Sequence, residues 1–257
     1  MVRRPILIAC AGLLALPAAA QAATPPRASA QLDRCHASLD PAQRYAVFSG
    51  AMRSLLGGQD RMDMRFDLFR RPPGASAFKR VAAPGLGVWN RADPGVGRFR
   101  FKQKVENLGS PAAYRALVSF RWTNADGHVF ARGQHLTAIC RQPDLRPNLR
   151  VASITASRIA GDRTSNRYDV VVRNDGASAA RGFDVSLSLG GVPVVPNQKV
   201  GLLRAGQGVT LQFTGPRCTA GAPMVATADA GGAVSESNEA DNELTAACPS
   251  LGTNSAR

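Results

Sequence analysis

Arg98, Arg100, Lys102 and Lys104 alternate with Phe99, Phe101, Gln103 and Val105 in one unbroken segment. Successive side chains of an extended chain point to opposite faces, so four cations share one face while Phe99, Phe101 and Val105 share the other. A row of this kind can track a chain of phosphates or carboxylates, with Arg65, Arg115 and Arg121 as candidate neighbours on adjacent strands. The same pattern serves a solvated sheet face, or an edge strand whose charges keep it from pairing with other chains. No aromatic residue of the segment shares the cationic face, so there is nothing to stack bases and no nucleic acid is expected as a partner.

A second group is acidic and amidic. Asp229, Glu236, Asn238, Glu239, Asp241 and Asn242, with Glu243 close behind, bring many oxygen donors into one late segment. Calcium takes such ligands, but the spacing is not that of an EF-hand loop. Asn238 and Glu239 are expected instead to bond backbone groups across the final hairpin, leaving calcium as the alternative use. Catalytic signatures are missing from the sequence: it has no Gly-x-Ser-x-Gly elbow, no His-Glu-x-x-His and no phosphate loop. The histidines beyond residue 22 are His36, His128 and His135, and of these His128 and His135 read as a turn residue and a strand residue and not as a ligand pair. No enzymatic activity, cofactor or metal is therefore expected.

Compartment decides what the cysteines mean. Arg3 and Arg4 precede an apolar run from Ile6 to Ala20 and the small-residue site Ala20-Gln21-Ala22, the pattern of a secretory signal peptide over residues 1–22. Export removes Cys10 and leaves Cys35, Cys140, Cys218 and Cys248, which in an oxidising compartment read as two disulfides. Their wide separation does not suit a zinc site. Of the three pairings open to four cysteines, Cys35 with Cys140 and Cys218 with Cys248 keeps each bridge on its own side of a proline-marked boundary, Gln142-Pro143-Asp144-Leu145-Arg146-Pro147.

That boundary also divides the charge. The whole chain of 257 residues carries a net +14, with 32 Lys+Arg against 18 Asp+Glu. Between Ala23 and Gln142 stand 19 basic and 8 acidic residues, whereas Pro143 to Arg257 holds 11 and 10. The expected organisation is a signal peptide over 1–22, a basic domain over 31–141, a linker over 142–147, a second domain over 148–248 and a tail over 249–257. An excess of arginine, 28 of the 32 basic residues, is also what a GC-rich coding sequence produces without any ligand.

Period-two alternation runs through both halves, as in Met62, Met64, Phe66 and Leu68, in Val118, Phe120 and Trp122, and in Val185, Leu187 and Leu189. Half-buried strands follow from that period. Asn124-Ala125-Asp126-Gly127 and Gly190-Gly191 supply hairpin turns. Only Pro41 to Leu56 admits a helix, and Val47 to Leu55 reads equally as a first strand. A gapless repeat relates Phe101 to Ala113 and Val118 to Phe120 with Tyr168 to Ala180 and Val185 to Leu187, at a shift of 67 residues. Each copy reads as strand, Asn-x-Gly turn, strand and hairpin turn, the Asn and Gly serving a left-handed backbone position and a side chain that bonds its own main chain. The expected fold class is all-β, with two tandem antiparallel sandwiches.

Four stretches of the second half go further: Pro147-Asn148-Leu149-Arg150-Val151, Val170 to Gly176, Leu203-Arg204-Ala205-Gly206, and Val234-Ser235-Glu236-Ser237-Asn238-Glu239-Ala240-Asp241-Asn242. This half resembles the CARDB family, the cell-adhesion-related module of bacteria. The resemblance implies an immunoglobulin- or fibronectin type III-like sandwich engaged in extracellular, non-catalytic interaction. Asn148 and Asp241 depart from the residues the family usually carries at its opening and closing motifs. Together these readings lead to the expectation of a secreted, non-enzymatic adhesion-type module, contacting an anionic envelope polymer or a surface protein. The alternative is an accessory domain or enzyme acting on cell-wall material.

Overall fold

The computed structural model describes residues 27–251. The signal-peptide expectation over 1–22 and most of the C-terminal tail lie outside them. In chain order the first half forms β1 (Ala28–His36), β2 (Tyr45–Arg53), β3 (Arg61–Arg71), β4 (Lys79–Val81), β5 (Trp89–Arg91), β6 (Arg98–Glu106), β7 (Ala112–Thr123), β8 (Val129–Leu136) and β9 (Cys140–Gln142). The second half forms β10 (Leu149–Arg158), β11 (Ser165–Asn174), β12 (Ala180–Leu189), β13 (Val192–Leu203), β14 (Gly208–Pro216), β15 (Pro223–Ala228) and β16 (Glu243–Ala247).

These strands make two immunoglobulin-like β-sandwiches. One sheet of the first has the order β1-β2-β6; the other runs β4-β3-β7-β8, with β5 beside β3 and β9 beside β7. The second sandwich faces β10-β11-β14 against β13-β12-β15-β16. Alternation sets which side chains meet in each core. Phe48 and Met52 of β2 pack on Met62, Met64, Phe66 and Leu68 of β3 and on Val118, Phe120 and Trp122 of β7. In the second core Tyr168, Val170 and Val172 of β11 meet Phe183, Val185 and Leu187 of β12. Gly50 stands in mid-strand because a Cβ there would overlap the Met64 sulfur.

Two expectations for the first sandwich need correction. The stretch from Pro41 to Leu56 contributes no helix beyond a single 3-10 turn at Pro41–Gln43. Its apolar alternation instead builds β2, which is the second strand; β1 precedes it and begins at Ala28, ahead of residue 31. Disulfides join Cys35 to Cys140 and Cys218 to Cys248. The first bridge ties β1 to β9 across 105 positions, and the second closes 30 positions. In the chain-entropy view, loops of those lengths add roughly 4 to 5 and 3 to 4 kcal/mol. Cys218 lies in the loop between β14 and β15.

Both repeat copies are crossovers between sheets. β6 leads through Asn107 to β7 in the facing sheet, and β11 leads through Asn174 to β12. The two asparagines act differently, however. Asn107 adopts a left-handed backbone with φ of 55°. Asn174 does not; fully buried, it donates to Ser178 O and Leu203 O and accepts from the N–H groups of Asn148 and Gly176. Gly176 is required by close approach and not by a left-handed turn, since a Cβ would overlap the backbone of Pro147 and Asn148.

Candidate functional site

The outward face of β1-β2-β6 is built by register. Ala46, Phe48, Gly50 and Met52 point inward, so Tyr45, Val47, Ser49, Ala51 and Arg53 point out. On β6 the exposed residues are Arg98, Arg100, Lys102, Lys104 and Glu106, which places all four expected cations on the outward face of an edge strand. Pairing sets Arg98 opposite Arg53, Arg100 opposite Ala51, Lys102 opposite Ser49 and Lys104 opposite Val47.

Along this row the charges are used unequally. Lys102 Nζ lies 3.2 Å from Asp33 Oδ2, and Lys104 pairs with Glu106. Asp33 also accepts from the Ser49 hydroxyl at 2.6 Å, a bond that, with Lys102, holds its carboxyl below the usual range against the cost of burial. Lys104 further sits 4.8 Å from the centre of the Tyr45 ring, which in turn packs against His36 with centroids 5.2 Å apart. An aromatic pair therefore does share the cationic face, supplied by β1 and β2, which the β6 segment alone could not reveal. Arg98 and Arg100 have no carboxylate partner among the described residues.

Two further arginines join that end of the face. Ala28 pairs with Met52, and Met52 with Phe99, so the next position outward aligns Arg27, Arg53 and Arg98 across three strands. The Arg53 N–H donates to Arg27 O at 3.0 Å, and Trp122 Nε1 donates to Arg53 O at 2.7 Å, fixing this corner to the core. Beside it a cavity of about 200 Å³ is lined by Ser29, Gln31, Asp33, Ser49, Arg100 and Lys102 among others. Arg27 and Arg53 were not legible as site residues, because their strand partners lie far off in sequence.

Arg65, Arg115 and Arg121 do not neighbour this row. They stand on β3 and β7, on the outward face of the other sheet, where they belong to a ladder of arginines, aspartates and aromatic rings. Asp63, 1% exposed, accepts from Arg121 Nε at 3.1 Å and Arg91 Nε at 3.0 Å. Asp67, 4% exposed, accepts from Arg65 Nε at 3.0 Å and from Arg80. The Arg65 and Arg121 guanidinium carbons lie 5.2 and 4.2 Å from the centre of the Trp89 ring, and those of Arg71 and Arg115 lie 4.8 and 4.2 Å from that of Phe78. Cations over ring faces are attracted by the ring quadrupole, so much of this sandwich's arginine excess is consumed internally.

The late acidic group is likewise structural in its contacts. Glu236, 1% exposed, accepts from Leu149 N–H and from Asn242 Nδ2 at 2.9 Å. Burial pushes its carboxyl above the ordinary value, the two hydrogen bonds opposing. Asp229 accepts from the N–H groups of Ala233 and Val234, and Asp241 from Asn148 Nδ2. Asn238 and Glu239 bond Ala240 N–H and Glu236 N–H, within their own turn and not across the hairpin. Among the described residues no His, Cys, Asp or Glu side chains gather in a group of three fit to hold a metal ion. His36, His128 and His135 lie apart, on β1, in the β7–β8 turn and on β8. Among the described residues no helix is long and apolar enough to cross a membrane.

Comparison with known proteins places the second sandwich. The CARDB family model matches residues 143–246. The CARDB domain of a Pyrococcus furiosus protein, solved in complex with di-metal ions, is 26% identical over 40% of this chain and 88% of that one, with a TM-score of 0.34. A domain from Methanosarcina acetivorans described as a cell surface protein is 27% identical over 43% of this chain and 97% of its own, with a TM-score of 0.38. No curated protein matches the chain.

Proposed function

Residues 143–246 match CARDB, a family of cell-surface-associated domains, and on that premise we propose that the protein is a secreted, non-enzymatic binding module of the bacterial surface. Its first sandwich holds an anionic envelope polymer on the outward face of β1-β2-β6. The CARDB-like sandwich serves as spacer or protein-contact module. What carries the reading is the division of charge between the two faces of the first sandwich. One face neutralises its arginines with buried aspartates and aromatic rings, while the other leaves Arg98 and Arg100 without carboxylate partners among the described residues. An extended strand spaces same-face residues about 6.7 Å apart, a pitch on which a chain of charges can be followed.

The test is co-sedimentation of the mature chain with purified envelope polymers across a salt series, against a variant with Arg98→Ser, Arg100→Ser, Lys102→Ser and Lys104→Ser. Retention should weaken as salt screens the contact and should be lost in the variant. Retention indifferent to both would exclude the electrostatic reading.

A further inference from the structure

Of the charged surface described above, one corner differs from the rest. Arg27, one residue ahead of β1, lies beside Arg53 of β2, which stands opposite Arg98 of β6, and Arg100 stands two positions beyond Arg98 on the same face. Strands are about 4.8 Å apart, so three guanidinium stems fall within roughly 10 Å of one another. Like charges directly opposite each other across a sheet destabilise it. Here two such oppositions are adjacent, Arg27 with Arg53 and Arg53 with Arg98, and no carboxylate pairs with any of the four arginines among the described residues. At the other end of the same face the lysines have their own acids, Asp33 and Glu106.

We infer that this corner is a phosphate subsite: Arg27, Arg53, Arg98 and Arg100 together take one phosphate monoester of a phosphorylated saccharide, and the sugar lies in the adjoining cavity. The inference rests on the anionic-polymer reading and narrows its ligand. A carboxylate offers one charge and two oxygens. A phosphate monoester brings about −1.5 to −2 and three acceptor oxygens, enough to engage several guanidinium forks at once and to relieve both oppositions. Arginine suits this work better than lysine because its planar fork matches oxyanion geometry. The cavity supplies the hydroxyls of Ser29 and Ser49, the Gln31 amide and the Asp33 carboxylate, donors and acceptors fit for sugar hydroxyls. A bare lipid phosphate would have no use for them.

The test compares glucose 6-phosphate with glucuronate as ligands of the isotope-labelled mature chain, by NMR shift titration at low ionic strength. Two charge-matched variants accompany the wild type: Arg53→Gln with Arg98→Gln, and Lys79→Gln with Lys199→Gln, the latter pair exposed on β4 and β13. Loss of charge-assisted hydrogen bonds should weaken glucose 6-phosphate binding about tenfold or more in the arginine variant. The lysine variant should stay within about twofold, because neither side chain lies on the β1-β2-β6 face or lines the cavity. Glucuronate should bind about tenfold more weakly than glucose 6-phosphate. Without ligand, the arginine variant should melt no lower than wild type, since both oppositions are gone. Equal losses in both variants, or glucuronate binding as well as the phosphate, would overturn the subsite while leaving polymer binding in place. Binding to phosphatidic acid vesicles but not to glucose 6-phosphate would overturn the saccharide assignment. A chain that sediments with no polymer at all refutes the broader reading first.

Discussion

Asp63 and Arg121 face each other directly in the β3–β7 register, and the Arg121 Nε donates to the Asp63 carboxylate at 3.1 Å. The pair lies on the outward side of its sheet, yet Asp63 is 1% exposed. Trp89, on β5 beside β3, lies across the Arg121 guanidinium with its ring centre 4.2 Å away, while Arg91 of the same strand donates to the second carboxylate oxygen. A short strand of three residues thereby turns a charged sheet face into a second, polar packing layer.

If that layer stabilises the sandwich, Asp63→Asn should cost about 1 to 3 kcal/mol, because one hydrogen-bonded charge at the centre is lost. Trp89→Ala should cost a similar amount through lost stacking and exposed sheet. Both tryptophans belong to the first sandwich, so Trp122 fluorescence during denaturant unfolding follows that unit in the Trp89 variant. Polymer retention should be unchanged, since the ladder is on the sheet facing away from the β6 row. A midpoint equal to wild type for both variants would make the ladder dispensable.

The two crossover asparagines should respond unequally. Asn174→Ala leaves the Ser178 and Leu203 carbonyls and the Asn148 and Gly176 N–H groups without partners in a closed site, a loss of about 2 to 4 kcal/mol. Asn107→Gly should be nearly neutral, since glycine enters the left-handed region at no steric cost. Calorimetry of the two variants measures the contrast, and equal destabilisation would contradict it. The repeat kept the asparagine while the structural demand on it changed.

Acid should act on opposite signs at different carboxylates. Hydrogen bonds from Ser49 to Asp33, from Arg146 to Asp144 and from Arg150 to Asp175 hold these groups below the usual aspartate range. Their contribution is present above the unfolded-state value of about 3.8 and disappears as pH falls through the lowered folded values. Glu236 runs the other way. Burial raises it, so the native state holds its proton more tightly, and stability declines as pH rises from 4.5 through the raised value. Melting temperatures across mildly acidic pH should therefore show a decline above 4.5 that Glu236→Gln removes, with the loss at lower pH retained. A variant whose curve runs parallel to wild type throughout would refute the assignment to Glu236.

Much of this molecule was written in local pattern. Period-two alternation determined both sandwiches, since a strand with one apolar face must bury it against another; the hairpin turns at Asn124 to Gly127 and Gly190-Gly191 followed from residues suited to tight reversals. The CARDB motifs marked the second half, and the side of β6 that carries its cations was set by the same alternation. Tertiary structure alone decided what those cations stand beside. Register brings Arg27 and Arg53 to Arg98, sends Arg65, Arg115 and Arg121 to the opposite face, and gives the lysines Asp33 and Glu106. Alternation fixes a side chain's face from its immediate neighbours, but which charge lies opposite depends on strands tens of residues away. The sum of charge was a property of the sequence; its division into a neutralised face and an unpaired corner came from strand pairing.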